Sequence, residues 1–156
     1  MSLKKHNLLF TVLTVALALT SCNRKTIYSH YEHTPIAGWE ANDSLTFDVK
    51  PITTEGIYDE TVGLRISSAY PFMGLTLIVD QQLPVGIHYI DTLHASLIDH
   101  DGTIQGLGIS FFQYDFLLRS LPLNKDDSLH ICIRHNMKRE ILPGISDVGI
   151  TLTRKE

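Results

Sequence analysis

From residue 36 onward, the chain is built from short runs in which apolar and polar residues alternate. Successive side chains of a β-strand point to opposite faces, so a period of two predicts a strand with one buried face. The pattern is clearest at Leu45–Val49, residues 62–66, Leu129–His135 and residues 148–152. Residues 72–79 (FMGLTLIV) are more continuously apolar, which predicts a central strand that is covered on both faces or at least shielded at one end.

Turn-forming residues separate these runs every 8 to 14 residues, without the periodicity of an amphipathic helix. Residues 99–102 (DHDG) predict a hairpin turn in which Gly102 adopts a positive φ. Residues 107–118 predict a strand that either continues or enters a helical turn at residues 114–119. About seven or eight short strands therefore predict an all-β fold, an antiparallel β-sandwich with the jelly roll as its expected form.

The N-terminus has the features of a bacterial lipoprotein signal. Lys4 and Lys5 precede thirteen uncharged, mainly apolar residues, 8–20. This stretch is too short to span a bilayer, which needs about 20 apolar residues, but it suits a secretory signal. It ends in Leu19-Thr20-Ser21-Cys22, where small residues suit a signal peptidase and the Cys22 thiol can accept a diacylglyceryl group.

This pattern predicts the organisation of the chain. We expect a signal peptide at residues 1–21, a lipidated Cys22 carrying acyl chains such as palmitate, and a short tether that extends to residue 35. The β-sandwich domain would then occupy residues 36–156. An ordinary cleaved signal, in which Cys22 occurs by chance, is the alternative.

Size and charge narrow the class of protein. Removal of the signal would leave 135 residues, enough for one domain with a hydrophobic core. They carry eleven Lys and Arg against seventeen Asp and Glu, a net charge of −6, so nucleic acid is not an expected partner. Cys132 is the one cysteine after Cys22, which excludes a disulfide within the mature chain. Its apolar neighbours, Ile131 and Ile133, predict a buried structural thiol.

The sequence predicts neither a catalytic site nor a metal site. His30, Glu32 and His33 could offer two imidazoles and a carboxylate to zinc, but an extended backbone before Pro35 would turn the histidines to opposite faces. Ser110 stands where a calcium loop beginning at Asp99 needs a glutamate. Motifs for nucleophilic catalysis and phosphate binding are missing, so we expect no enzyme and no cofactor. A metal-dependent enzyme using the histidine pair is the competing hypothesis.

Four residues are candidate contacts to a partner. Trp39 follows a glycine and Tyr70 precedes a proline, which favours exposed loop positions for both rings, while Lys138 and Arg139 form the charged end of a hairpin. These loops bind either a partner protein or a glycan. The glycan alternative uses Trp39 or Tyr70, with Arg65 or Arg119 nearby. The apolar strands predict Phe72, Phe111 and Phe112 as core residues.

Several segments taken together resemble a known family. They are residues 33–40 (HTPIAGWE), 43–47 (DSLTF), 70–75 (YPFMGL) and 138–150 (KREILPGISDVGI). With Cys22 after its lipobox, they closely resemble the GldH gliding-motility lipoproteins of Bacteroidetes over nearly the whole mature chain. The resemblance implies a non-enzymatic envelope lipoprotein with one small β domain and a lipid on Cys22.

The same resemblance implies the partners. It points to an accessory or scaffold component of the gliding-motility machinery and of the protein secretion associated with it. Its partners would be the membrane, through the anchor on Cys22, and other envelope lipoproteins or membrane proteins of such a complex. Residues 23–26 (NRKT) lack the acidic run that sends lipoproteins of this phylum to the cell surface, so we expect an outer-membrane position facing the periplasm.

Overall fold

The computed structural model describes residues 25–155. Their strands are β1 (Thr26–His33), β2 (Trp39–Glu40), β3 (Leu45–Val49), β4 (Gly56–Ser67), β5 (Gly74–Gln82), β6 (His88–Ser96), β7 (Leu107–Gly108), β8 (Phe111–Leu123), β9 (Leu129–His135), β10 (Ile141–Leu142) and β11 (Ile145–Arg154). A 3-10 turn, Pro84–Gly86, links β5 to β6. Within residues 25–155, no helix has the length and apolar character needed to cross a membrane. The predicted all-β fold is confirmed.

Two antiparallel sheets form the sandwich. One has the order β1-β11-β4-β8-β7, the other has the order β3-β9-β5-β6, and β2 pairs with β10 in a small ribbon. Eight strands have five or more residues. Counted along the chain, these eight pair first with last, second with seventh, third with sixth and fourth with fifth. This is a long hairpin rolled into two sheets, so the predicted jelly roll is confirmed.

The core lies between the sheets and consists of the inward residues of the alternating runs. Ile131 and Ile133 of β9 and Leu77 and Val79 of β5 are completely buried. Each such side chain contributes about 1.5–3 kcal/mol relative to an exposed one. β3 and β9 match two of the predicted strands residue for residue. β5 lies between β9 and β6, as predicted for a central strand around residues 72–79, but only its inward side chains are buried, and Thr76, Ile78 and Asp80 on the outer face are half-buried.

The tether predicted to reach residue 35 is wrong, because Thr26–His33 forms β1 at the edge of the five-stranded sheet. β1 pairs with β11 along its length, and Ser29 Oγ lies 3.1 Å from Thr151 Oγ1 on the neighbouring strand. An edge strand with a solvent-facing side is polar, as a linker is, so composition did not distinguish the two. The first strand of the sandwich therefore begins four residues after Cys22.

The segment around β8 settles two open points. β8 is a strand throughout, with a bulge opposite Glu60 and Thr61, so the alternative of a helical turn at residues 114–119 does not occur. Gly102 has a φ of 79°, as the predicted turn requires. However, the strand before this turn, β6, pairs with β5, and an isolated Ile98–Ile104 bridge joins the two sides of the turn.

Two predicted core residues point outward. Cys132 is half-buried on the outer face of β9, where its Sγ lies 3.5 Å from His130 Nε2, while Ile131 and Ile133 point inward. Phe111 is 56% exposed at the start of β8, whereas Phe72 and Phe112 pack against the core. In a strand, the residue next to a buried one faces the other side, so apolar neighbours along the chain did not imply burial of Cys132.

The two ends of the sandwich carry different loops. We call the end where β1 begins the proximal end; it contains residue 25, the loops at residues 50–55, 83–87 and 124–128, and Lys155. The opposite, distal end contains residues 34–44, 68–73, 97–110 and 136–144. The loops alternate between the ends because each antiparallel strand carries the chain from one end to the other.

Candidate functional site

The distal end brings together all four residues predicted to contact a partner. Trp39 lies in the loop at residues 34–44, Tyr70 in the loop at residues 68–73, and Lys138 and Arg139 in the loop at residues 136–144. The first and last of these loops are joined by the ribbon, in which Trp39 pairs with Leu142 and Glu40 with Ile141. Segments about a hundred residues apart in the chain therefore form one end of the molecule.

Trp39 does not have the exposed position that was predicted for it. Its side chain is completely buried, its Nε1 donates a hydrogen bond to the Asp43 carbonyl at 3.0 Å, and its ring packs edge-on against His135 with centroids 5.3 Å apart. Burial lowers the pKa of His135. Trp39 is therefore a structural support beneath the distal loops, and the glycan alternative loses its principal ring.

Tyr70 is also less accessible than predicted. Its hydroxyl donates a hydrogen bond to the Gly74 carbonyl at 2.9 Å, and its ring packs edge-on against Phe72. Burial raises the pKa of this hydroxyl to about 12. Gly144 has a φ of 82°, and a Cβ there would lie 2.5 Å from the Tyr70 amide nitrogen. The loop at residues 136–144 therefore approaches the loop at residues 68–73 too closely for a side chain at position 144. This explains Gly144 in the segment at residues 138–150 that resembles the family.

Lys138 and Arg139 are exposed at the tip of their loop, as expected for a charged contact surface. Arg139 Nε donates a hydrogen bond to the Ile141 carbonyl at 3.0 Å, which holds the side chain against the β10 strand. Arg65 and Arg119, the arginines of the glycan alternative, do not stack on Trp39 or Tyr70 but each on a different tyrosine ring. Arg65 lies over Tyr31 at 4.4 Å and Arg119 lies over Tyr89 at 4.0 Å from the ring centroid.

Exposed apolar side chains accompany the charged residues at the distal end. Ile36 and Ile109 are almost completely exposed, and Leu107, Met73 and Phe111 are more than half exposed. Single exposed apolar residues are ordinary, but several at one end of a small domain make that end a candidate interaction surface. The exposure of Leu107, Ile109 and Phe111 was not predicted, because residues 107–118 have the apolar pattern of a strand. The flanking Gly106 and Gly108 were the available signal of an irregular loop.

His30 and His33, the histidines of the metal alternative, each contact a different acidic residue. His30 Nε2 lies 2.8 Å from Glu32 Oε1, whereas His33 Nδ1 lies 2.5 Å from Asp147 Oδ1. Among residues 25–155, no three His, Cys, Asp or Glu side chains are placed to hold a metal ion. The contact between His33 and Asp147 instead ties the end of β1 to the beginning of β11.

A buried polar cluster between the sheets was not predicted from the sequence. Glu60 and Gln81 are completely buried, and Gln81 Nε2 donates a hydrogen bond to Glu60 Oε2 at 2.8 Å. Arg119 and Asp91 form an ion pair at 3.1 Å beside them. Desolvation raises the pKa of Glu60 from 4.5 to about 7; the Gln81 hydrogen bond and Arg119 oppose this rise, and Asp91 adds to it.

Comparisons with known proteins agree on one family. The family model of the GldH lipoproteins matches residues 26–152. The chain is 28% identical over 152 residues to the gliding motility lipoprotein GldH of Flavobacterium johnsoniae, covering 93% of this chain and 95% of that protein. It is 24% identical over 156 residues to the GldH homolog of Christiangramia forsetii, covering 94% and 95%.

The solved structures that superpose on the chain are more distant. A family GH115 4-O-methyl-α-glucuronidase superposes with a TM-score of 0.44 and 13% identity, over 87% of this chain and 18% of that enzyme. The carbohydrate-binding module CBM35 from Cellvibrio japonicus Abf62 superposes with a TM-score of 0.37 and 10% identity, over 83% of this chain and 99% of the module. These likenesses are too weak to bear on function.

Proposed function

Because the chain belongs to the GldH lipoprotein family, we propose that it is a non-enzymatic, lipid-anchored envelope protein that docks onto a membrane-bound complex of the gliding-motility machinery. Family membership implies a lipoprotein of the cell envelope with a role in gliding motility. The finer proposal has three parts: the anchor is Cys22, the docking surface is the distal end, and the partner belongs to a motility or associated secretion complex.

The proposal rests on one observation: residue 25, which follows the proposed anchor, and the predicted contact residues lie at opposite ends of the sandwich. Cys22 precedes Lys25 by three residues, which span at most about 11 Å in any conformation. β1 starts at Thr26 and carries the chain away from this point. β4, with 12 residues, crosses the sandwich from one end to the other, a length of about 36 Å at the usual rise of a strand. An anchor at one end would therefore present Lys138 and Arg139 at the other.

Such an arrangement supports docking through weak contacts. Two or three acyl chains make an attachment durable, because each buried methylene contributes about 0.8 kcal/mol. Confinement to the membrane surface raises the effective concentration of the domain for a partner in the same membrane. The distal surface carries exposed apolar side chains together with charged side chains of both signs, a composition suited to a protein partner.

The proposed location is the outer membrane, with the domain facing the periplasm. Residues 23–26 (NRKT) lack an acidic run after the anchor, which supports a periplasmic rather than a surface-exposed position. From there, the distal end would extend into the periplasm toward envelope lipoproteins and membrane proteins of the complex.

In-cell crosslinking followed by purification of a tagged full-length chain from detergent-solubilised membranes tests this proposal. Lys138→Glu with Arg139→Glu changes the distal surface, and Arg134→Glu, exposed on the side of the four-stranded sheet, is the matched control. We expect the parent chain and the control to recover motility or secretion proteins, and the distal variant to lose them. Cys22→Ser should lose both the membrane fraction and the partners. Recovery of the same proteins by the distal variant would contradict distal docking, and retention of Cys22→Ser in membranes washed with high salt would contradict the anchor.

A further inference from the structure

Exposed apolar side chains also occur at the proximal end, where the proposed anchor joins the domain. Val85 is 98% exposed, and Ile27, Ile57 and Ile87 are each about half exposed. They come from the start of β1, the start of β4 and the loop after β5. Elements far apart in the sequence thus place apolar groups at the same end as residue 25.

The turn that carries Val85 is strained and has no packing to compensate for the strain. Val85 has a φ of 64° and is followed by Gly86 at 77°, a turn geometry that favours Asn, Asp or Gly at the first position. A β-branched residue in this left-handed region is a genuine outlier, with a cost of about 1–2 kcal/mol. Because Val85 is almost fully exposed, no core contact explains the choice of residue, and such an outlier points to function.

The same turn borders an open apolar groove. This cavity, of about 500 Å³, has a mainly apolar lining that includes Leu83, Pro84, Val85, Ile57 and Leu123, together with the polar residues Glu55, Asn124 and Asp127. The groove continues the exposed apolar surface of the turn into the interior of the proximal end. Aliphatic groups are the chemistry that such walls accept.

Exposed lysines occur at the same end as this apolar surface. Lys50, Lys125 and Lys155 are exposed in the proximal loops and at the end of β11, and Arg154 lies beside them. Glu55, Asp126 and Asp127 are the acids of the same loops. Lys25 is a further cation of this end, while Asp48 lies near the end of β3 and Asp59 Oδ1 lies 3.6 Å from Lys155 Nζ, so the lysines are interspersed with acids.

We propose that the proximal end forms a second, non-covalent contact with the bilayer, in which the Pro84–Gly86 turn inserts Val85 among the lipid headgroups. This inference rests on the proposed anchor at Cys22, because the 11 Å reach of the intervening residues is what brings this end to the membrane. Apolar side chains at the interface and lysines near anionic headgroups are the two attractions by which proteins rest on membranes. The contact would hold the sandwich upright and direct its distal loops away from the membrane.

The contact can be measured with the acylated full-length chain reconstituted in phosphatidylethanolamine–phosphatidylglycerol vesicles that contain nitroxide-labelled lipid. In a Cys132→Ser background, Val85→Cys is coupled to an environment-sensitive fluorophore. Ile36→Cys, which is equally exposed at the distal end, is the matched control. We expect a blue-shifted emission and several-fold stronger quenching by the nitroxide lipid for the Val85 probe than for the Ile36 probe. Equal, water-like signals from both probes would overturn the lipid contact.

Flotation of the vesicles separates the two possible failures. If the acylated chain floats but the Val85 probe remains in water, the anchor holds and the turn contact is wrong. If the acylated chain does not float with the vesicles, the anchor itself is wrong and the turn contact falls with it. As a second variant, Val85→Asp should reduce the binding of the Cys22→Ser chain to anionic vesicles several-fold, and unchanged binding would also overturn the contact.

Discussion

The ring of Tyr31 occupies the space that a side chain on Gly149 would need. The two residues are cross-strand partners of β1 and β11, and a Cβ on Gly149 would lie 2.6 Å from two ring carbons of Tyr31. The ring extends over Gly63 on β4, receives a hydrogen bond from Gln113 Nε2 at 2.8 Å, and is covered by the Arg65 guanidinium. Tyr31 thus fastens the edge strand β1, which follows the proposed anchor, to three neighbouring strands.

We predict that Gly149→Ala destabilises the domain by about 1–3 kcal/mol, because the added methyl group must displace the Tyr31 ring. The midpoint of urea unfolding measures this loss. Removing the obstacle with Tyr31→Ala should make the double variant lose less than the sum of the two single losses. Additive losses would show that Gly149 is needed for a reason other than the tyrosine ring.

Glu60 predicts a particular dependence of stability on pH. Its pKa in the folded protein is about 7, against an ordinary value of 4.5, so the folded state binds the proton more tightly than the unfolded state does. Stability from this group is therefore present at low pH and is lost as the pH rises from 4.5 through about 7, by about 3 kcal/mol in total. Urea unfolding at pH 4.5 and at pH 8 measures the difference.

The variant Glu60→Gln removes this titration and retains an amide next to Gln81. We expect it to match the parent near pH 4.5 and to exceed its stability at pH 8 by up to about 3 kcal/mol. Glu55→Gln, at an exposed acid on the proximal loop before β4, is the matched control and should leave the pH dependence unchanged. Parallel curves for the parent and Glu60→Gln would refute the assignment to Glu60.

Val85→Asn should stabilise the domain while weakening its proposed contact with lipid. Asparagine tolerates the left-handed backbone far better than valine, which predicts a gain of about 0.5–1 kcal/mol in the free energy of unfolding. Thermal unfolding of the Cys22→Ser chain measures the stability, and vesicle binding of the same chain measures the contact. A gain in both quantities would argue that Val85 has no role at the membrane.

Trp39 and Arg139 should give opposite results despite their shared position at the distal end. Trp39→Ala leaves a cavity below the loops and should lower the free energy of unfolding by about 3–5 kcal/mol. Arg139→Glu changes an exposed side chain and should alter stability by no more than about 0.5 kcal/mol, while reducing the recovery of partners. Circular dichroism melts and crosslinking of the same preparations provide both readouts. Normal stability of Trp39→Ala would contradict its structural role.

Strands with a local pattern in the sequence were predicted correctly. The alternation at Leu45–Val49 and Leu129–His135 predicted β3 and β9 in full, because the period of side-chain direction is written into consecutive residues. Burial of side chains that are covered by segments far along the chain was not predicted. Trp39 beside a glycine resembled an exposed loop residue, yet the pairing of its segment with residues 141–142 covers it.

The sequence by itself determined the class of fold and the family, because periodicity, turn residues and motifs are properties of neighbouring residues. The tertiary structure alone decided which face of each strand is buried. Residues 26–33, which were predicted as part of a tether, form the strand β1. Glu60 is buried between the sheets, which was not predicted, and the direction of the strands places the proximal and distal loops at opposite ends. These features depend on register and pairing between distant strands, where a shift of one residue exchanges the buried and exposed faces.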